Sequence, residues 1–273
     1  MKVNVITPMG IRDHLAGHIP GDRLAHLSDH FDVIGDIAVL AVPPELAPYM
    51  SLIAETIVSH RKNIRTVLNR TGTVTGPERT APYEIILGTT TETVHREFGF
   101  SYRLDVGRSF FSPRLARERK RVTGLVEPGE RIYVPFAGVG PFAIPAAARG
   151  ADVDAVELNP DAYRSLAANI VLNHVEPACH AVLGDALDIS QLRHTRYDRL
   201  ILPAPYGMDH MLDRLLPLLS EGGAAHFYTF RAKEQIPALA REYEERGLTV
   251  TGYAPCGNVA PGISRWVFDL VRP

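Results

Sequence analysis

From Glu130 onward the sequence alternates short apolar runs with amphipathic stretches, and the first apolar run leads into a loop with two glycines. No other feature constrains the chain so strongly. Residues 131–136, 152–156, 178–183, 199–202, 224–230 and 248–253 read as strands. Residues 143–149, 160–173, 208–219 and 233–246 read as helices. The second helix is opened by Asn159 as N-cap, with Pro160 in the first helical position. Strands alternating with helices imply an α/β fold, a doubly wound Rossmann-like parallel sheet covered on both faces. Residues 265–271 are expected as a final edge strand.

The part before this rhythm reads as a small mixed unit. Residues 33–40 look like one strand, with a glycine in the run. A helix is expected over 46–59, where Leu46, Met50, Ile53 and Ile57 share one face. Residues 64–68, 83–87 and 102–106 read as strands, and 71–82, rich in glycine and proline, as a loop. The expected division is a small α+β domain over 1–95 and a larger domain over 96–273, which suits a chain of 273 residues.

Composition excludes several classes. No window approaches ~18 consecutive apolar residues, so no transmembrane helix is expected, and the first residues lack the apolar core of a secretory signal. Cys179 and Cys256 are too few for a disulfide scaffold or a cysteine-rich zinc site, and a reducing, cytoplasmic setting is expected. The eleven histidines show no metal-ligand spacing, so no metal is expected. His226, inside an apolar run, reads as a core histidine. The net charge of −2 does not call for nucleic acid. The basic residues are nevertheless clustered, as Arg61, Lys62, Arg65 and Arg70, and as Arg114, Arg117, Arg119, Lys120 and Arg121. Such clusters suit phosphate contacts; as plain charge runs they would be solvated faces.

The loop Phe136-Ala137-Gly138-Val139-Gly140-Pro141-Phe142 follows a strand and opens a helix. Glycines there let a ligand approach backbone amides at a helix N-terminus. The next strand ends in Glu157-Leu158-Asn159-Pro160, where a carboxylate can accept from two ribose hydroxyls. The third ends in Gly184-Asp185-Ala186, which suits an adenine amino group. Three successive strand ends with these residues point to S-adenosylmethionine. The bland alternative is that Glu157 and Asp185 only cap loops. A dinucleotide is disfavoured, because Ala143 stands where the full G-x-G-x-x-G has its last glycine.

The loop 136–142, Glu157-Leu-Asn-Pro160 and Gly222-Gly-Ala-Ala-His-Phe-Tyr-Thr-Phe230 together resemble the archaeal and eukaryotic tRNA guanine-N1 methyltransferases. Phe31-Asp-Val-Ile-Gly-Asp-Ile37, Thr91-Glu-Thr-Val-His-Arg-Glu97 and Phe111-Ser-Pro-Arg-Leu-Ala-Arg-Glu-Arg119 are similar to motifs of that family's middle domain and its junction with the catalytic one. The resemblance implies a class I methyltransferase domain and a small N-terminal domain that positions RNA. It also implies S-adenosylmethionine as cofactor and methylation of the guanine 3′ of the anticodon. The sister branch transfers the aminocarboxypropyl group of the same cofactor in wybutosine synthesis, and that alternative stays open. So do a non-catalytic tRNA or S-adenosylmethionine binder and a protein-directed methyltransferase.

Site roles follow from the same resemblance. Phe136, Ala137, Gly138, Val139, Gly140, Glu157, Leu158, Asn159, Asp185 and Ala186 would bind the cofactor. Arg114 of the intact Ser112-Pro113-Arg114 motif would hold its methionine carboxylate. Glu118 aligns with the general base, Arg79 with an arginine that contacts guanine O6, and Tyr206 could stack on the target base. For Glu118 the alternative is an ion pair with a neighbouring arginine. Arg79 could equally be a solvated loop arginine, and Tyr206 a core tyrosine. Arg114 and Glu118 would share a face if their stretch is helical. Two positions depart from the family: Pro203 replaces an asparagine after the fourth strand, and Val134 replaces an acidic residue. About 30 residues precede Phe31, too few for the family's tRNA-elbow domain. Recognition is therefore expected to depend on the tRNA anticodon arm alone, or on a partner, and the chain is expected to be a monomer.

Overall fold

The computed structural model describes residues 10–73, 76 and 80–273. One compact unit holds the described residues up to His95 together with Asp105–Arg108, and the other holds Arg96–Leu104 and Ser109–Pro273.

The first unit contains α1 (Ile11–Leu15), α2 (Gly21–Leu24), β1 (Asp32–Ile34), β2 (Ile37–Leu40), α3 (Met50–His60), β3 (Thr66–Arg70) and β4 (Tyr83–Leu87). Its sheet runs in the order β1-β2-β3-β4. Residues 33–40, expected as one strand, instead form a hairpin. Gly35 turns the chain with φ +59, and a Cβ there would meet Thr93 Oγ1 at 2.1 Å, so only glycine fits. Helix α3 starts later than expected, because Pro44–Tyr49, containing Pro48, winds as a 3-10 turn. Its face of Ile53, Ala54 and Ile57 packs in one cluster with Leu15, Leu46 and Val67.

β5 (Glu92–Glu97), which the sequence reading missed, pairs with β6 (Phe100–Asp105) in a two-stranded sheet.

The second unit contains α4 (Ala116–Gly124), β7 (Arg131–Pro135), α5 (Ala143–Ala148), β8 (Asp152–Glu157), α6 (Pro160–Leu172), β9 (Cys179–Leu183) and β10 (Tyr197–Leu202). It continues with α7 (Met211–Leu215), β11 (Leu219–Arg231), α8 (Ile236–Glu245), β12 (Thr249–Ala260) and β13 (Ile263–Val271). The seven strands lie in the order β12-β13-β11-β10-β7-β8-β9. β9, β8, β7, β10 and β11 are parallel, and β13 and β12 close the sheet antiparallel. β13 is therefore not the edge strand that was expected. It pairs with β11 on one side and β12 on the other, and its run Trp266, Val267, Phe268 and Leu270 is buried on both faces. The half-exposed β12 takes the edge.

Side chains alternate across a sheet. Leu200, Leu202, Phe227, Phe268 and Leu270 point to one face and pack with Met211, Leu212 and Leu215 of α7 and Tyr243 of α8. Phe227 and Phe268 are fully buried, and each contributes ~2–3 kcal/mol of transfer free energy. Arg199, His226, Tyr228 and Asp269 have the opposite parity. They face α4, whose Glu118 and Arg121 bond to Tyr228 and Asp269.

Candidate active site

At the carboxyl end of β7 the chain turns through Phe136 (φ +56), Gly138 (φ +57) and Gly140 (φ +95). A left-handed conformation is unusual for a bulky residue such as Phe136. A Cβ on Gly140 would lie 2.7 Å from Ile144 Cδ1 and 2.8 Å from Leu166 Cδ1, so this glycine lets the loop settle onto α5 and α6. Buried Asn169 of α6 donates to the Val139 carbonyl (3.0 Å) and the Arg103 carbonyl (3.0 Å), and accepts from the Arg103 N–H (2.7 Å). This amide clips loop and hairpin to the helix.

Glu157, half-buried at the end of β8, accepts the Gly138 N–H at Oε2 (2.7 Å) and the Asn159 N–H at Oε1 (2.8 Å). Burial pushes its carboxyl up from the usual range, against the pull of those backbone bonds. The Leu158 N–H is a third backbone donor to this carboxylate, which keeps acceptor capacity for a further donor. Leu158 is exposed, and Asn159 caps α6 by accepting from the Asp161 N–H at 2.9 Å. At the end of β9, exposed Asp185 accepts the Leu187 N–H (2.8 Å), and the carbonyl of buried Ala186 accepts from Tyr133 Oη (2.7 Å).

A cavity of ≈ 80 Å³ opens beside the loop. Phe136, Ala137 and Gly138 line it together with Ser112, Arg119, Pro203, Tyr228 and Arg265. Glu157, Asp185 and Arg114 do not. Pro113–Leu115 is a 3-10 turn ahead of α4, so exposed Arg114 and buried Glu118 do not share a helical face. The guanidiniums that line the cavity are instead those of Arg265 and of Arg119, the latter buried in a fork to Glu97 (2.7 and 2.5 Å) and donating to the Ser112 carbonyl (3.0 Å). Arg119 holds the Ser112-Pro113-Arg114 turn in place. In an arginine-rich run it looked like its solvated neighbours.

Glu118 is buried too. Arg121 donates to both of its oxygens (2.9 and 2.8 Å), and Tyr228 Oη donates to Oε1 (2.8 Å). Arg121 also forks onto Asp269 (2.8 and 3.0 Å). Asp269 in turn bonds His226 Nδ1 (2.6 Å), whose Nε2 meets Arg199 Nη1 (2.7 Å), and Arg199 forks onto Glu130 (2.9 and 2.7 Å). Arg119 and Arg121 are thus structural ion-pair partners, which removes them from the cluster expected to contact phosphates. Arg114, Arg117 and Lys120 stay exposed.

Pro203 and Ala204 follow β10 directly. Tyr206 is 62% exposed, not a core residue, and its ring lies 5.3 Å from that of Phe230. Arg265 covers Phe230 at 5.0 Å. Arg79 lies outside the described residues. Among the described residues no group of histidine, cysteine and carboxylate side chains could hold a metal ion, and no helix is long and apolar enough to cross a membrane.

Residues 93–246 match the TRM5/TYW2 methyltransferase domain, and residues 11–91 match the TYW2 N-terminal domain. The tRNA (guanine(37)-N(1))-methyltransferase Trm5b of Pyrococcus abyssi is 35% identical over 253 residues, 89% of this chain and 75% of that protein. The tRNA(Phe) (4-demethylwyosine(37)-C(7)) aminocarboxypropyltransferase of Pyrococcus horikoshii is 31% identical over 278 residues, 99% of this chain and 98% of that protein. The solved complex of aTrm5 with tRNALeu superposes with a TM-score of 0.86 at 26% identity, over 97% of this chain and 79% of that one.

Proposed function

The chain belongs to the TRM5/TYW2 family, and from that premise we propose that it is an S-adenosylmethionine-dependent tRNA methyltransferase acting on N1 of the guanine 3′ of the anticodon. The observation that carries this reading is the cavity bounded at once by the glycine loop, by Ser112 and by Pro203. It supports the reading because the loop expected to hold the cofactor and Pro203, expected beside the target base, border one cavity.

The residues fit the cofactor. Glu157, held by backbone amides at the end of β8, keeps acceptor capacity that suits a ribose hydroxyl. Asp185 and Ala186 would border the adenine, and at Gly138, where a Cβ would meet nothing nearer than the Phe110 carbonyl at 3.9 Å, the loop backbone is open to approach. When bound, S-adenosylmethionine supplies an electrophilic carbon on a sulfonium. Arg114 would pair with its carboxylate from the exposed turn. Tyr206, backed by Phe230, offers a ring on which the guanine stacks. Pro203 has no side-chain donor, so orientation of the base falls to a backbone amide or to Tyr206. The exposed Arg114, Arg117 and Lys120, with Arg61, Lys62, Arg65 and Arg70, would meet phosphates of the anticodon arm. The small unit before about residue 95 would position the RNA. We read the protein as a cytoplasmic monomer. Two unpaired cysteines agree with a reducing compartment.

Aminocarboxypropyl transfer is the second reading. Two observations favour it: the nearly full-length match to the P. horikoshii transferase and the match of residues 11–91 to the TYW2 N-terminal domain. Mass spectrometry of nucleosides from tRNA incubated with protein and labelled cofactor separates the two. A guanosine heavier by one methyl group is expected. A wybutosine precursor heavier by an aminocarboxypropyl group would move the chain to the sister reaction.

A further inference from the structure

We propose that Tyr228 is the group through which the substrate proton leaves the reaction centre, with Glu118 as the final acceptor behind it. This rests on the methyltransferase reading above. Tyr228 lines the cavity that holds the glycine loop, Ser112 and Pro203, whereas Glu118 does not. Glu118 lies behind the phenol and receives its hydroxyl at 2.8 Å. The fork of Arg121 occupies both oxygens of the carboxylate and shares Oε1 with the phenol. A proton in the cavity therefore reaches Glu118 by way of Tyr228. The phenol oxygen spends its one proton on Glu118 and keeps acceptor capacity for an incoming N–H.

The bonds behind Glu118 show why it can accept a proton without harm. Arg199 can only donate, so His226 Nε2 is an acceptor, and the ring is neutral with its proton on Nδ1, donated to Asp269. The hydrogen-bonded chain then holds three carboxylates, Glu118, Asp269 and Glu130, against two guanidiniums, Arg121 and Arg199. It carries one excess negative charge. Protonating Glu118 removes that excess and leaves Arg121 paired with Asp269, so no buried cation is stranded. Two other groups complete the surroundings. Cys256 of β12 has its thiol pushed up to about 12 by burial and stays neutral. Arg265 of β13 borders the cavity. Burial, and then the charge of Glu118, hold the phenol well above its usual range, so phenolate does not accumulate.

The transfer balances as a double shift. The guanine N1 proton passes to Tyr228 Oη while the phenol proton passes to Glu118 Oε1. The electron pair of the N–H bond forms the new N–C bond, and the pair of the breaking C–S bond stays on sulfur. One negative and one positive charge vanish together. After product release the proton returns from Glu118 through Tyr228 to solvent.

The test is single-turnover methylation of a tRNA transcript from pH 6 to 9 by wild type, Tyr228→Phe, Glu118→Gln and the double variant, with cofactor affinity measured by calorimetry. Each single change should slow transfer by roughly 10²–10³-fold. The double variant should be no slower than the slower single one, because the two residues act as a unit. The Tyr228→Phe rate should climb with pH as hydroxide removes the N1 proton, while cofactor affinity stays within about twofold of wild type. Three results overturn the relay while leaving the reading intact: wild-type rates in Tyr228→Phe, multiplicative losses in the double variant, or a pH-independent loss matched by lost cofactor affinity. A wild-type protein that methylates no guanine overturns the reading, and the relay with it.

Discussion

His226 on β11 and Asp269 on β13 are register partners across an antiparallel pair, and their side chains meet at 2.6 Å. Burial holds the His226 imidazole below its usual range; the Asp269 carboxylate pulls the other way, and Arg199 and Arg121 add to the depression. The folded protein therefore binds fewer protons at this site than the unfolded chain does just below the ordinary histidine value. The stability it contributes is fully present above about pH 6.5 and is lost as pH falls toward the folded-state value. We expect urea unfolding of wild type to lose up to ~1.4 kcal/mol per pH unit in that window from this group. His226→Gln should have a shallower slope. Equal slopes in the two proteins would show that His226 is protonated in the fold.

Gly140 makes a sharper test of the loop. An alanine there meets two leucine- and isoleucine-type methyl groups below 3 Å and must hold φ +95. Overpacking and backbone strain together should cost about 3 kcal/mol. Gly247→Ala is the control, since Gly247 also has a positive φ (+82) but no neighbour within 4 Å. It should lose only ~1–2 kcal/mol. Denaturant midpoints that shift equally in the two variants would mean that the contact with Ile144 and Leu166 is relieved at no cost.

The parallel half of the sheet was legible because its signals are local. Periodicity, the Asn159 cap and the glycines at β7 all act within a few residues. The misses arise where distant residues decide. β5 is a polar run, ETVHRE, and reads as a strand only once Glu97 is seen turned inward to Arg119, 22 positions away. Asp269 and Arg121 are 148 positions apart, so nothing near either residue marks the ion network that engages Glu118. The strand expected over 33–40 failed for the opposite reason. One left-handed glycine outweighed a β-branched run.

The last expectation concerns Glu157, on which the cofactor assignment depends. Its two oxygens hold the Gly138, Asn159 and Leu158 amides, and the carboxylate keeps acceptor capacity for a ribose hydroxyl. Glu157→Ala removes two charge-assisted acceptors, and S-adenosylmethionine should bind about 10- to 100-fold more weakly, roughly 1.5–3 kcal/mol. Glu157→Gln should do little better, because its amide NH₂ presents donors to the backbone N–H and hydroxyl it must serve. Burial already pushes the Glu157 carboxyl up. Acidification should therefore protonate it before an ordinary surface carboxylate, and wild-type affinity should fall as pH drops through that raised value. The Ala variant lacks the titrating group, so its affinity should not show that component. Calorimetry across pH 4–8 checks both points together. Unchanged affinity in Glu157→Ala would remove the ribose role, and an identical pH dependence in the two proteins would place the acid-sensitive contact on another carboxylate, with Asp185 the first to try.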